Sequence, residues 1–167
     1  MRNNIRIVKK IFLERKSVRL FSKKKLNTSL IKLIEKVAKN SPKAGGLESV
    51  KIMVTNDDEI IKLCYQASFY QPFVENANFI ILVISDYEKL DHKYSEPHLT
   101  NLLIQNSSIV AANIITACEL LDISSCYVGG VRYGYLEKKL KLQPTEKIFQ
   151  FLLVGYKEEL HEKSIYK

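Results

Sequence analysis

Asn78-Phe79-Ile80-Ile81-Leu82-Val83-Ile84-Ser85 is the stretch on which the fold turns. Its apolar run has no polar alternation, which describes a strand buried on both faces. Such a strand requires a layer of structure on each side. The run is also far shorter than the about 18–20 apolar residues that span a bilayer, so no membrane association is expected.

Helical and strand patterns surround this segment. Leu30, Ile31, Leu33, Ile34, Val37 and Ala38 form one apolar stripe of a helix that Asn27 or Thr28 can cap. That helix should stop near Asn40-Ser41, because Pro42 disfavours helix in the residue before it. Ile5, Val8, Ile11 and Phe12 place a second amphipathic helix upstream. Val50–Thr55 reads as a strand, followed by Asn56-Asp57-Asp58, which can cap a short helix to about Tyr65. Leu99–Leu121 is the longest helical pattern. Its apolar residues Leu102, Leu103, Val110, Ala111, Ile114, Ile115, Cys118 and Leu121 are too widely spread for one narrow face, which suits a central or interfacial helix. Ser124–Val128 and Phe149–Val154 read as strands, and Leu136–Leu142 as a brief helix.

The order is α, α, β, α, β, long α, β, α, β. Two helices precede the first strand, so strict βαβ alternation is absent. The expected class is α+β: a layered sandwich with a central, mostly antiparallel sheet flanked by helices. No repeat or linker interrupts the chain, so residues 1–167 are expected to form a single domain.

The chain is 167 residues long with a formal net charge of +8. Residues 1–51 hold 15 Lys+Arg against 3 Asp+Glu, a net +12, while residues 52–167 are net −4. Such a field suits an anionic partner: nucleic acid, acidic membrane or a phosphorylated small molecule. Solvated surface is the competing reading. Cys64, Cys118 and Cys126 are odd in number and form no CxxC, and His92, His98 and His161 have no metal-ligand spacing. No metal site is expected. The opening Met-Arg-Asn-Asn does not read as a secretory leader, and a reduced, cytoplasmic setting is expected.

Three segments exceed what local structure demands. Arg15-Lys16-Ser17-Val18-Arg19 packs two guanidiniums, an ammonium and a hydroxyl into five residues, a donor set suited to phosphate. Pro42-Lys43-Ala44-Gly45-Gly46-Leu47 allows backbone to lie close against a flat ligand. Ser125-Cys126-Tyr127-Val128-Gly129-Gly130 runs a buried strand into a Gly-Gly turn with available amides. None is a GxGxxG or a P-loop.

Taken in order, these segments resemble the FMN-dependent nitroreductase family. Arg15 to Phe21 resembles its Arg-Arg-Ser-x-Arg-x-Phe opening, and Pro42 to Leu47 a Pro-Ser-Ala-Gly-Gly-Leu variant of the azoline-dehydrogenase branch. Gln71-Pro72-Phe73-Val74-Glu75-Asn76-Ala77, the Asn113–Gly130 region and Leu152-Leu153-Val154-Gly155-Tyr156 resemble three further motifs. The resemblance implies an FMN-binding homodimer that takes electrons from NAD(P)H and passes them to a nitro, quinone or enone-like small molecule. Arg15, Lys16, Ser17, Arg19 and Lys163 would hold the phosphate, the ribityl chain or the flavin edge. Pro42, Lys43, Ala44, Gly45, Gly46 and Leu47 would face the flavin across the dimer interface. Gln71 would meet its pyrimidine edge, and Val128, Gly129 and Gly130 would place amides near N5 and O4. No catalytic side chain is implied, because the flavin carries the chemistry. Lys43 stands where Ser is usual, which would set a cation beside the flavin or an acidic substrate. The short, polar 86–97 stretch implies a reduced substrate cover. A peptide-modifying azoline dehydrogenase is the alternative within the fold. A small basic nucleic-acid-binding protein is the alternative outside it.

Overall fold

A computed structural model describes residues 2–158 of the chain. Its centre is a four-stranded sheet of order β1-β2-β4-β3, formed by β1 (Val50–Thr55), β2 (Phe79–Asp86), β3 (Ser124–Tyr127) and β4 (Glu146–Gly155). Every neighbouring pair is antiparallel. The expected α+β sandwich is therefore the one observed.

The apolar run in β2 explains the layering. Ile80, Leu82 and Ile84 point into one core with Cys126, Val128, Phe151 and Leu153. That core is closed by α3 (Asp58–Ala67) and α5 (Tyr133–Lys139) through Cys64, Ala67 and Leu136. Ile81 and Val83 point into the other core with Leu152 and Val154. There α2 (Thr28–Lys39) contributes Ile31, Ile34 and Ala38, and α4 (His98–Leu120) contributes Val110, Ala111, Ile114 and Cys118. Alternate residues of one strand thus feed two cores, as the period-two pleat requires. No helix among the described residues is long and apolar enough to cross a membrane.

Local chemistry sets the helix ends. Asn27, rather than Thr28, caps α2 by accepting from Ser29 N at 2.9 Å. Asp57 caps α3 with bonds from Glu59 N and Ile60 N, both 3.0 Å. In their boundaries two elements, α5 and β4, differ most from the sequence reading. α5 starts at Tyr133, not Leu136, and ends before Lys141, whose φ of 54° breaks the helix. Gly134 and the flanking tyrosines are poor helix formers, but Arg132 N donates to Ala67 O and ties this turn to α3. β4 begins at Glu146, held by its hydrogen bonds with Lys51 and Gln143 N.

The first helix departs more. α1 (Arg2–Val8) widens into a π-helical turn over Lys9–Leu13. Of the expected apolar stripe only Ile11 is buried, while Ile5, Val8 and Phe12 are exposed. Ile104, Ile109 and Leu120 are likewise exposed on α4. One chain thus leaves two helices with uncovered apolar residues.

Gly155 shows why the closing Gly-Tyr is needed. A Cβ there would stand 2.6 Å from Asn78 Oδ1 and 2.8 Å from the Phe21 ring. Asn78 in turn accepts from Tyr156 N and donates to Ser22 O. Gly155→Ala is expected to destabilise the fold by about 1–3 kcal/mol, read as a lower urea midpoint. Glu146 yields a pH prediction. The hydrogen bond from Lys51, reinforced by Gln143 N, holds its carboxyl below the usual 4.5. A lowered folded-state value stabilises above 4.5, and that stabilisation is lost as pH falls through the folded value. Glu146→Gln should therefore lower stability at neutral pH and lose less on acidification below 4.5, measured by urea unfolding.

Candidate functional site

The segment after the π turn lies along β3. Val18 N donates to Ser125 O at 3.0 Å, Ser22 N donates to Tyr156 O at 2.8 Å, and Phe21 forms a β-bridge with Lys157. This fixes Arg15 to Arg19 beside the Ser125-Cys126 stretch. The Arg19 guanidinium sits 5.5 Å from the Phe73 ring centre, and Arg15 lies near Glu119 at the end of α4. None of Arg15, Lys16 and Arg19 forms an ion pair with a described carboxylate. Burial raises the Cys126 thiol above its usual pKa, although Arg19 and Arg15 pull it back down. Cys64 and Cys118 are pushed up to about 12 by burial. All three thiols are buried and protonated at neutral pH, and so suit packing rather than nucleophilic attack.

The exit of β3 adds backbone donors. Val128 is buried and bonded to Phe151 O at 2.9 Å, whereas Gly129 and Gly130 are exposed. The amides of Gly129 and Gly130 have no protein partner among the described residues. Gln71 Nε2 donates to Ser68 O at 2.8 Å and Gly130 O at 3.3 Å. Its amide nitrogen is thus engaged, and its Oε1 is the atom left to meet a ligand. The Arg15–Arg19 segment therefore runs beside β3, and Gln71, Gly129 and Gly130 meet at that strand's exit.

The aromatic cluster upstream splits in two. Tyr65 and Phe73 pack against the core. Phe69 and Tyr70 are exposed, with φ of 57° and 60°. Arg132 stacks 5.4 Å from the Phe69 ring centre. Tyr65 and Phe73 thus serve as packing groups, unlike the exposed pair between them. The left-handed Phe-Tyr pair and Arg132 had no sequence signal, since both depend on the α3–α5 contact.

The Pro42–Leu47 loop is a separate construction. Asn106, buried on α4, accepts from Ala44 N at 2.9 Å and donates to Ser49 Oγ at 3.1 Å. Asn113 donates to Ser41 Oγ at 2.9 Å. Lys43 Nζ donates to Lys39 O at 2.6 Å and Ser41 O at 3.0 Å, and its side chain is 4% exposed. The cation read as facing a ligand is therefore spent on the carboxyl end of α2, where it also satisfies the helix dipole. Glu119, near Arg15, lies thirteen residues beyond Asn106, about 20 Å along α4. One chain thus holds two separate groups of expected site residues. Lys163 lies outside the described residues. A cavity of about 830 Å³ beside Lys23, Lys25, Asp58 and Glu75 shares no residue with either group.

With this geometry in place, the comparisons are specific. The Nitroreductase family model matches residues 61–156, and the chain belongs to that family. A protein of Archaeoglobus fulgidus, provisionally named an NADH dehydrogenase/NAD(P)H nitroreductase, is 25% identical over 162 residues, covering 95% of this chain and 88% of its own. Nitroreductase A from Vibrio parahaemolyticus superposes with a TM-score of 0.83 at 20% identity, over 95% of this chain and 69% of that one. The NADPH:FMN oxidoreductase from Vibrio harveyi, solved with NAD+, gives 0.82 at 18% identity over 99% and 79%. At those identities the two structures speak for the fold alone. The family match begins at Ile61, so it leaves out both the Arg15–Arg19 and the Pro42–Leu47 segments.

Asn106 holds the loop from behind, so Asn106→Ala should leave Ala44 N and Ser49 Oγ without their partner. The expected cost is about 1–3 kcal/mol. Faster hydrogen exchange at the Ala44 amide, read by NMR, checks that the loss is local.

Proposed function

We propose that the chain is an FMN-dependent oxidoreductase that takes reducing equivalents from NAD(P)H and passes them to a nitro, quinone or enone-like acceptor. Family membership supports the oxidoreductase reading in general. One observation carries the finer reading. Arg15, Lys16 and Arg19, without described carboxylate partners, lie with Ser17 beside the strand that ends in the unpaired amides of Gly129 and Gly130.

That donor set fits a flavin mononucleotide. Guanidiniums suit a phosphate through paired hydrogen bonds, and Lys16 adds a point charge. Arg15, Lys16, Ser17 and Arg19 would bind the phosphate end. Gly129 and Gly130 would donate to the ring, with Val128 anchored behind them on Phe151 O. Gln71 would present its Oε1 to a ring N–H. When bound, FMN supplies hydride acceptance and release at N5. The protein binds, orients and shields, and its amide donors favour negative charge developing on the ring. No side chain is assigned as acid or base.

The working unit in this reading is a homodimer, with residues 1–167 as one FMN-binding domain. The Pro42–Leu47 loop is held on α4 by Asn106 and Asn113, whereas the proposed ring donors Gly129 and Gly130 follow β3, so each chain would offer the flavin two separate groups of residues. A second copy would bring its own loop to that ring. The exposed apolar residues of α1 and α4 would provide the contact surface.

Purification tests this directly. The protein, as isolated or after incubation with FMN, should show the absorbance bands of oxidised flavin and bleach on adding NAD(P)H. A chain that stays colourless after reconstitution rejects the reading. Arg19→Ala should weaken FMN binding about 10-fold, measured by flavin fluorescence titration.

A further inference from the structure

We propose that Lys93 and Tyr94, set against the Gly45–Gly46 backbone, form an oxyanion-binding site for a carboxylate or phosphate group of the substrate. The ligand assignment rests on the proposed function, whereas the anion site itself rests on the geometry below.

A Cβ placed on Gly45 would stand 2.8 Å from Lys93 Nζ and 3.0 Å from Tyr94 Oη. Both polar ends therefore reach the Gly45 backbone. Lys93 leans on its neighbour, with Nζ 5.6 Å from the Tyr94 ring centre. Neither Lys93 Nζ nor Tyr94 Oη has a hydrogen-bond or ion-pair partner among the described residues. The amide of Gly45 is also unpaired, although the next two amides are bonded, Gly46 N to Lys43 O and Leu47 N to Ala44 O. An ammonium and a hydroxyl thus converge on the backbone of a residue whose own N–H is unpaired among the described residues. The space in front of Gly46 is open, with no atom within 4 Å of where its Cβ would be.

The support is rigid. Gly45 and Gly46 have φ of 63° and 69°, which a side chain would strain. Ala44 is pinned to Asn106. Tyr94 and Leu47 both pack on Leu90, Leu99 and Leu103, so the 86–97 segment and the loop share one small core. Glu48 faces Lys43 at 3.8 Å, Glu96 Oε1 accepts from Thr100 and Asp86 accepts from Glu88 N, while Asp91 and Glu88 form no ion pair with Lys93. Lys93 is therefore the surplus cation at this loop, in the role that Lys43 cannot fill. A lysine supplies a point charge and three donors, enough for a single oxyanion.

If the loop faces the flavin, the anion belongs either to a nicotinamide donor with an extra phosphate or to an acidic acceptor. The first test is independent of flavin. Titration of the full chain with inorganic phosphate should shift the Gly45 and Gly46 amide resonances. In Lys93→Gln and in Tyr94→Phe the half-point should rise, about 10-fold in the lysine variant. Equal titration in wild type and both variants overturns the site. Two ratios then identify the source. A fall in the preference for NADPH over NADH in Lys93→Gln assigns a donor phosphate. A fall in the preference for 4-nitrobenzoate over nitrobenzene assigns an acceptor carboxylate. If phosphate binds but neither ratio moves, the substrate assignment is overturned. If FMN does not bind at all, the proposed function fails while the phosphate result still decides the site.

Discussion

The pairing of β2 with β4 is the constraint on which the rest of the structure depends. Residues 80–85 of β2 and 150–154 of β4 are buried, so neither strand has a face for water. Alternate side chains must enter opposite cores, and helices must cover both sides. That requirement fixes where everything else goes. β3 can only join the outer edge of β4, and its continuation delivers Val128, Gly129 and Gly130 at one end of the sheet. The Arg15–Arg19 segment gains its place by one backbone bond to that same strand. A cluster of cations that looks local in sequence is therefore positioned by the sheet.

α4 fixes the rest through polar groups rather than apolar ones. Leu99, Val110, Ile114 and Cys118 would pack against many neighbours. Asn106 and Asn113 accept only specific partners, because a buried amide left unpaired costs free energy. They hold the 41–49 loop in register on a rigid helix. Along that helix the loop's anchors Asn106 and Asn113 lie about 20 Å and about 9 Å from Glu119, the carboxylate that feels Arg15. α4 therefore carries the loop on its polar side chains while β3 carries the Gly129-Gly130 turn, and the proposed reading joins the two groups through a second chain.

What was legible in the sequence follows from this division. The double-sided burial of β2, the capping stretches Asn27-Thr28 and Asn56-Asp57-Asp58 and the stop before Pro42 are local chemistry legible in the sequence, although which residue of each stretch caps is seen only in the fold. The apolar stripe of α1 was visible, but not that one chain leaves Ile5, Val8 and Phe12 uncovered. The start of α5 was hidden because a bond from Arg132 to Ala67 outweighs the weak helix propensity of Tyr133-Gly134-Tyr135. The motif residues around β3 were legible because they are contiguous. Asn106, Lys93 and Tyr94 were not, because each matters only through contact with a loop far away in sequence.

The basic N-terminal third shows the same limit. Lys10 pairs with Asp122, Lys51 with Glu146, and Lys43 caps its own helix. Lys24 stacks on Tyr156 at 4.5 Å. These charges are absorbed within the fold and say nothing about a partner. Arg15, Lys16 and Arg19 differ because none forms an ion pair with a described carboxylate and they flank the strand that leads to the unpaired amides of Gly129 and Gly130. Lys93 differs in the same way, yet it lies in the part of the chain whose net charge is negative. Net charge sums over pairs already neutralised by geometry. A ligand responds only to the surplus at one place, so the unpaired donor, rather than the basic segment, is what points to an anion.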